Sequence, residues 1–105
     1  MTVSHERIAV LWNEHLRRPF PPRLRGKDID GIDFVLLDAD IAGCVSAWLS
    51  RQGDLDPDRQ RILRECLDDL HRLLLPSLTD QAERHYYSAL GDLAQAVLET
   101  QQEPR

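Results

Sequence analysis

The segment DIDGIDFVLLDADIAG, residues 28–43, decides how this chain folds, because a turn signal runs directly into a long apolar stretch. Asp30 and Gly31 stand between two isoleucines, and both residue types tolerate the positive φ angles of a two-residue hairpin turn. Because apolar residues flank this turn signal on both sides, we predict a β-hairpin at about residues 24–37.

The same segment also supports a longer helix. Phe34, Leu37 and Ile41 recur at helical spacing, so a helix beginning near Asp33 is the alternative. In the hairpin interpretation Asp28 lies opposite Asp33, and like charges facing each other across two strands are unfavourable. We prefer the hairpin and leave the longer helix open.

Four apolar residues in this segment lead into an Asp-x-Asp pair, Asp38 and Asp40. The stretch resembles the haloacid-dehalogenase-like phosphatases, in which a buried strand ends in such a pair. The resemblance implies Asp38 as the nucleophile and Asp40 as the general acid, working with Mg²⁺. Such a site requires a parallel sheet with repeated βα units, whereas the chain after residue 40 shows only helical patterns. We therefore interpret Asp38 or Asp40 as the N-cap of the second helix.

Apolar residues at three- and four-residue spacing predict four helices, at about residues 4–18, 39–52, 57–75 and 80–100. The third has the clearest start, with Asp56 as N-cap and Pro57 in the first helical position. Thr79 is the expected N-cap of the last helix. We expect a mainly α fold, a small four-helix domain with one β-hairpin between helix 1 and helix 2. It forms a single domain over residues 1–105, with a frayed tail at 101–105.

The composition is that of an ordinary globular domain, with 42% apolar and 30% charged residues in a chain of 105. No apolar run approaches the length of a membrane-spanning helix, and the start of the chain lacks a signal-peptide pattern. Cys44 and Cys66 both fall in apolar helical patterns. We expect buried free thiols in a cytoplasmic protein, with a disulfide between them as the open alternative.

Charge is unevenly distributed along a chain whose net charge is −5. Six basic and two acidic residues lie in 1–27, whereas residues 28–40 hold five aspartates and no base. We expect the two stretches to pair locally. The basic stretch also holds the candidate interaction residues, which are Arg17, Arg18, Phe20, Arg23 and Arg25. They favour an acidic protein partner, with nucleic-acid binding through residues 17–27 as an alternative.

The aspartate cluster is also a candidate site for a divalent metal, because Ca²⁺ and Mg²⁺ prefer oxygen ligands. The candidate ligands are Asp28, Asp33, Asp38 and Asp40. The spacing departs from a calcium-binding loop, so a solvated acidic loop without metal or cofactor is the main expectation. His15 borders the apolar stripe of helix 1, where a hydrogen-bonded histidine is more common than a ligand.

No complete catalytic set of residues appears in the sequence. We therefore predict a non-enzymatic protein–protein interaction or regulatory domain that forms a homodimer. The alternatives are a divalent-metal site, with phosphoryl transfer as its chemistry, in residues 28–40, and nucleic-acid binding through residues 17–27.

Overall fold

The structure is a computed structural model that describes residues 3–102, and it contains four helices with a short hairpin between the first two. The elements in order are α1 (Val3–Arg17), a 3₁₀ turn (Pro22–Leu24), β1 (Asp28–Ile29), β2 (Ile32–Asp33), α2 (Phe34–Ser50), α3 (Pro57–Asp69, continuing to residue 77) and α4 (Gln81–Gln102). The predicted mainly α, four-helix fold with one hairpin is confirmed. Within residues 3–102, no helix has the length and apolar character needed to cross a membrane.

The hairpin has the predicted register but is much shorter than predicted. Ile29 pairs with Ile32, and the turn residues Asp30 and Gly31 have φ angles of 51° and 83°. Each strand holds only two residues, whereas the sequence suggested a hairpin over residues 24–37. The second strand is short because the chain enters α2 directly after it.

Helix α2 begins at Phe34, so the alternative of a long helix was also correct. Asp33 has extended backbone angles that complete the hairpin, and its side chain accepts a hydrogen bond from the Leu36 amide at 2.9 Å. One residue therefore ends the strand and caps the helix. The prediction that helix 2 begins at residue 39, capped by Asp38 or Asp40, is wrong.

Helix α3 starts as predicted and runs two residues further than predicted. Asp56 accepts a hydrogen bond from the Arg59 amide at 3.1 Å, which confirms it as the N-cap. After Asp69 the helix widens into a π-helical segment, Leu70–Leu74, and closes with the turn Leu75–Ser77. The wider turn lets the chain include Pro76, which has no N–H group to donate to the preceding turn.

Helix α4 differs from its prediction at both ends. Its N-cap is Asp80, not Thr79, because the Asp80 carboxylate accepts from the Glu83 amide at 3.0 Å. At the other end Gln101 is helical and bonds to the Leu55 amide and the Gly53 carbonyl. The predicted frayed tail is therefore wrong for residues 101–102, and its remaining residues, 103–105, lie outside the described part of the chain.

The core surrounds α4, which packs against the other three helices. Its apolar face consists of Tyr86, Tyr87, Leu90, Leu93, Ala94, Val97 and Leu98, all buried. Helices α3 and α4 approach closely at Gly91, where a Cβ atom would lie 3.2 Å from the Leu70 side chain. This arrangement leaves the first turns of α4 beside the proline-rich linker that follows α1.

Candidate functional site

Asp38 lies on the inner side of α2, between α1 and α4. It occupies the second turn of the helix, so it is neither a cap nor the last residue of a strand. The interpretation of Asp38 as a strand-end nucleophile, drawn from the phosphatase resemblance, is therefore wrong. In the helix it follows Phe34 by four residues and precedes Ile41 by three, which places a carboxylate beside two core residues.

Asp38 accepts hydrogen bonds on both of its oxygens. His15 Nε2 lies 3.1 Å from Oδ1, and the Tyr86 hydroxyl donates a short bond to Oδ2. The three side chains are largely enclosed: His15 is 8% exposed and Tyr86 6%. We call this set the Asp38 network. It ties α1, α2 and α4 together at one point.

The partners of His15 define its tautomer. In a neutral ring the proton lies on Nε2, which faces a carboxylate oxygen, and Nδ1 is then an acceptor. Nδ1 is buried and finds no hydrogen-bond partner among residues 3–102. The ring stacks on Trp12 at 6.0 Å and contacts the Tyr86 ring at 5.4 Å. Leaving one buried acceptor unpaired costs on the order of 1–3 kcal/mol, which the network's two bonds must offset.

The two tyrosines of the network region are hydrogen-bond donors that stay protonated. Burial, followed by the hydrogen bond to Asp38, raises the pKa of Tyr86 above its usual value. Burial is also the main cause that raises the pKa of Tyr87, whose hydroxyl donates to the Phe34 carbonyl at 2.7 Å. Both phenols therefore serve as fixed donors near neutral pH.

An open groove lies beside the network, between the linker after α1 and the first turns of α4. We call it the basic groove after Arg18 in its lining and Arg25 beside it, and its volume is about 420 Å³. Its lining residues are Arg18, Pro19, Phe20, Pro21, Pro22, Asp80, Ala82, Glu83, His85 and Tyr86. The Phe20 and Tyr86 rings meet edge to face at 5.6 Å, giving the groove an aromatic surface.

One ion pair anchors the linker to α4. Glu83 is only 6% exposed, and Arg23 Nε donates to its Oε2 at 2.9 Å. The hydrogen bond to Glu83 raises the pKa of Arg23, whose guanidinium is charged in proteins in any case. Because removing Arg23 would leave a buried carboxylate without its cation, the pair holds the linker in one position.

Four of the five predicted interaction residues lie in or beside this groove. Arg18 and Phe20 line it, and the Arg25 guanidinium sits 5.0 Å from the centre of the Phe20 ring. Arg23 is held by Glu83, whereas Arg17 is exposed at the end of α1 and does not line the groove.

The predicted local pairing of the basic and acidic stretches does not form. Within residues 3–102, no ion pair links any base of residues 17–27 to an aspartate of residues 28–40. Both charged stretches therefore keep free charge on the surface.

The structure does not gather the four candidate metal ligands at one site, although Asp33 and Asp40 line the same shallow depression. Asp28 accepts from the Gly31 amide at 3.1 Å, and Asp33 caps α2. Asp38 is occupied by its network, and Asp40 is exposed on the helix surface. In the described part of the chain, no three His, Cys, Asp or Glu side chains are grouped so that they could hold a metal ion.

The two cysteines are both buried and unpaired. The Cys44 thiol donates to the Arg59 carbonyl at 3.6 Å. Burial is the main cause that raises the pKa of both thiols, for Cys66 to about 12. Thiols with raised pKa values are poor nucleophiles, so these side chains act as small core residues.

Sequence reasoning missed Tyr86 and Glu83 as site residues and gave Asp38 the wrong role. The signal in the sequence was Asp38 itself. If α2 begins at Phe34, this aspartate falls on the inward-facing stripe of the helix. A carboxylate in that position needs donors from other elements. A buried tyrosine likewise needs a partner for its hydroxyl.

The arrangement holds the Asp38 network side chains in place through bonds to one another. Both oxygens of Asp38 are in use, and the raised pKa of Tyr86 keeps its proton in place. Comparison of the chain with protein-family models, curated proteins and solved structures finds no match. The function must therefore be argued from the geometry of this chain.

Proposed function

We propose that this protein is a non-enzymatic interaction domain whose basic groove binds an acidic segment of a protein partner. The observation that supports this proposal most directly is the groove itself, with an aromatic surface beside unpaired arginines. Arg18 and Arg25 form no ion pair with any residue from 3 to 102. The matching ligand carries one large apolar side chain with carboxylates on either side of it.

The walls of the groove are held in place before any ligand arrives. Prolines 19, 21 and 22 restrict the linker backbone, and the Arg23–Glu83 pair attaches it to α4. On the opposite wall, Tyr86 is fixed by its bond to Asp38. A surface that is already ordered loses little conformational entropy on binding, which favours affinity.

Charge would mainly determine how fast and how selectively the partner binds. Exposed arginines around a groove attract acidic segments and disfavour basic ones. The volume of about 420 Å³ accommodates one or two large side chains, so the apolar contact supplies the anchor. The cytoplasm is the compartment we propose, because two free buried thiols suit a reducing environment.

Selection from a library of random displayed peptides tests this proposal. We expect enrichment of sequences with Phe, Trp or Leu flanked by Asp or Glu. Binding of an enriched peptide, measured by fluorescence polarisation, should fall about tenfold or more in Phe20→Ala and in Arg18→Glu/Arg25→Glu. If Phe20→Ala disturbs folding, Arg18→Glu/Arg25→Glu still tests the groove, because it changes charges and leaves the aromatic ring in place.

The matched control is Arg61→Glu/Arg64→Glu, which makes the same charge change on the exposed surface of α3. This variant should bind the selected peptide within about twofold of the unchanged protein, since exposed ion pairs contribute little. Circular dichroism should show that all variants keep their helices. Peptides enriched without acidic residues, or equal binding by groove and control variants, would contradict the proposal.

Nucleic acid is the competing ligand for the same bases. A labelled single strand and a duplex, tested at low salt, should show no binding by the unchanged protein. Binding with an affinity that falls steeply as salt rises, and that is lost in Arg18→Glu/Arg25→Glu, would replace the peptide proposal.

A further inference from the structure

A second surface of the molecule combines an exposed apolar side chain with carboxylates, which is the chemistry that the basic groove is expected to bind. Leu36 is 63% exposed, the largest exposure among the large apolar side chains reported for the described residues. It borders a shallow depression of about 200 Å³ between the hairpin, α2 and α3. We call this surface the acidic corner, and its outward residues are Ile32, Asp33, Leu36, Asp40 and Asp69.

The exposure of Leu36 follows from the start of α2. The inward stripe of the helix passes through Phe34, Leu37 and Ile41, all less than 5% exposed. Leu36 falls between these positions and points away from the core. A solvent-exposed leucine leaves apolar surface in contact with water, so its burial against another molecule would be favourable.

Three carboxylates lie around this leucine. Asp33 uses one oxygen to cap α2, and Asp40 forms no ion pair with the described residues. Asp69 has only a loose pair with Arg72, at 3.7 Å. The corner therefore presents an aliphatic side chain surrounded by negative charge.

The two surfaces share no residue, and Arg18 and Arg25 at the groove carry charge opposite to that of the corner, although Asp80 also lines the groove. The basic groove lies between the α1–α2 linker and α4, and the acidic corner lies at the junction of the hairpin, α2 and α3. Within one molecule the groove is open and Leu36 is exposed, so neither surface is covered by the other.

We propose that a second copy of this chain occupies the basic groove, with Leu36 of one copy inserted against Phe20 and Tyr86 of the next. Arg18 and Arg25 of the groove then face Asp33 and Asp40 of the incoming corner. The contact is head-to-tail, because each copy contributes a different surface. This inference rests on the proposed function of the groove and names its occupant.

Sedimentation velocity over a range of protein concentrations tests the contact. In about 50 mM salt the average mass should rise above that of a monomer as protein concentration approaches about 500 µM. In about 500 mM salt the association should weaken about tenfold or more, because charges at the rim of an interface are screened.

Two charge-reversed variants identify the surfaces. The groove variant is Arg18→Glu/Arg25→Glu, and the corner variant is Asp40→Lys/Asp69→Lys, which avoids the capping residue Asp33. Each alone should remain monomeric, since both of its surfaces then carry the same charge. An equimolar mixture retains one unchanged contact, the corner of the groove variant with the groove of the corner variant. The reversed groove of one variant and the reversed corner of the other are also oppositely charged, so association should return in the mixture although each variant alone is monomeric.

The control Arg61→Glu/Arg64→Glu should associate like the unchanged protein. A strict monomer at about 500 µM in low salt overturns the inference. Self-association that persists in both charge-reversed variants overturns it as well, because the contact would then lie elsewhere. If the groove does not select acidic peptides, the proposed function itself is wrong. If the protein stays monomeric but binds such peptides, the proposed function holds and only the second copy as occupant is wrong.

Discussion

The two halves of α4 contact the rest of the molecule through different chemistry. In the first half, Glu83, Tyr86 and Tyr87 each bond to a residue at least 48 positions earlier in the chain. In the second half, the contacts along residues 90–98 come from apolar side chains, which are Leu90, Leu93, Ala94, Val97 and Leu98. Long-range polar bonds return only in the last turn, where Thr100 accepts from Trp48 and Gln101 bonds to Leu55 and Gly53.

The difference indicates which part of α4 supplies most of the stability and which part fixes the position of neighbouring segments. Apolar burial is strong but non-directional, so the apolar stretch at residues 90–98 holds the helices together without specifying details. Hydrogen bonds add little net free energy but need defined geometry. The first half therefore fixes the linker and Tyr86, and through them the shape of the basic groove.

The largest expected effect is in the apolar half. Leu90 is 0% exposed, so Leu90→Ala should lower the free energy of unfolding by about 2–5 kcal/mol through lost burial and a residual cavity. Urea denaturation measures the change. The control Gln95→Ala lies on the exposed side of the same helix and should change stability by less than about 0.5 kcal/mol. A similar loss in both variants would contradict the importance of the apolar contacts.

A smaller loss of stability is expected from Asp38→Asn, which changes the α2 partner of Tyr86 in the first half of α4. The amide keeps the shape but cannot accept from both His15 and Tyr86, so unfolding should become easier by about 1–3 kcal/mol. The matched control is Asp40→Asn, two residues away and exposed, with an expected change under about 0.5 kcal/mol. Equal effects in the two variants would show that the network contributes nothing specific.

Alkaline titration probes the same half without mutation. The only two tyrosines, Tyr86 and Tyr87, both have raised pKa values, with burial as the main cause. A phenol whose folded pKa lies above its unfolded pKa stabilises the fold below about pH 10, and this contribution is lost as pH rises. We expect no phenolate absorbance at 295 nm until the protein unfolds. A reversible step for one tyrosine near pH 10 in the folded state would contradict the buried donors.

The smallest expected effect is from divalent metal ions. Excess Mg²⁺ or Ca²⁺ should leave the thermal midpoint of chelator-treated protein unchanged, because the four candidate aspartates are separated or already bonded. A true site at a hundred times its dissociation constant would add about 2.7 kcal/mol. For a domain of this size that would raise the midpoint by on the order of ten degrees. Such a rise would restore the metal hypothesis for residues 28–40.

Sequence reasoning succeeded where a signal and its consequence lie close together in the chain. Asp30-Gly31 predicted the turn, and Asp56 with Pro57 predicted the start of α3, because the bonds that stabilise these features are local. It failed at the start of α2, where two patterns overlapped. Hairpin and long helix were treated as alternatives, but Asp33 serves both, so the strand shortened and the helix began five residues earlier than predicted.

The sequence by itself determined the four helices, the hairpin register and the uneven charge, since spacing and turn chemistry act over a few residues. Only the tertiary structure decided the role of Asp38, because its partners stand 23 and 48 positions away. The same holds for the groove and for the acidic corner. Each is formed by segments that are distant in the chain, and packing of α4 against the rest brings the groove walls together.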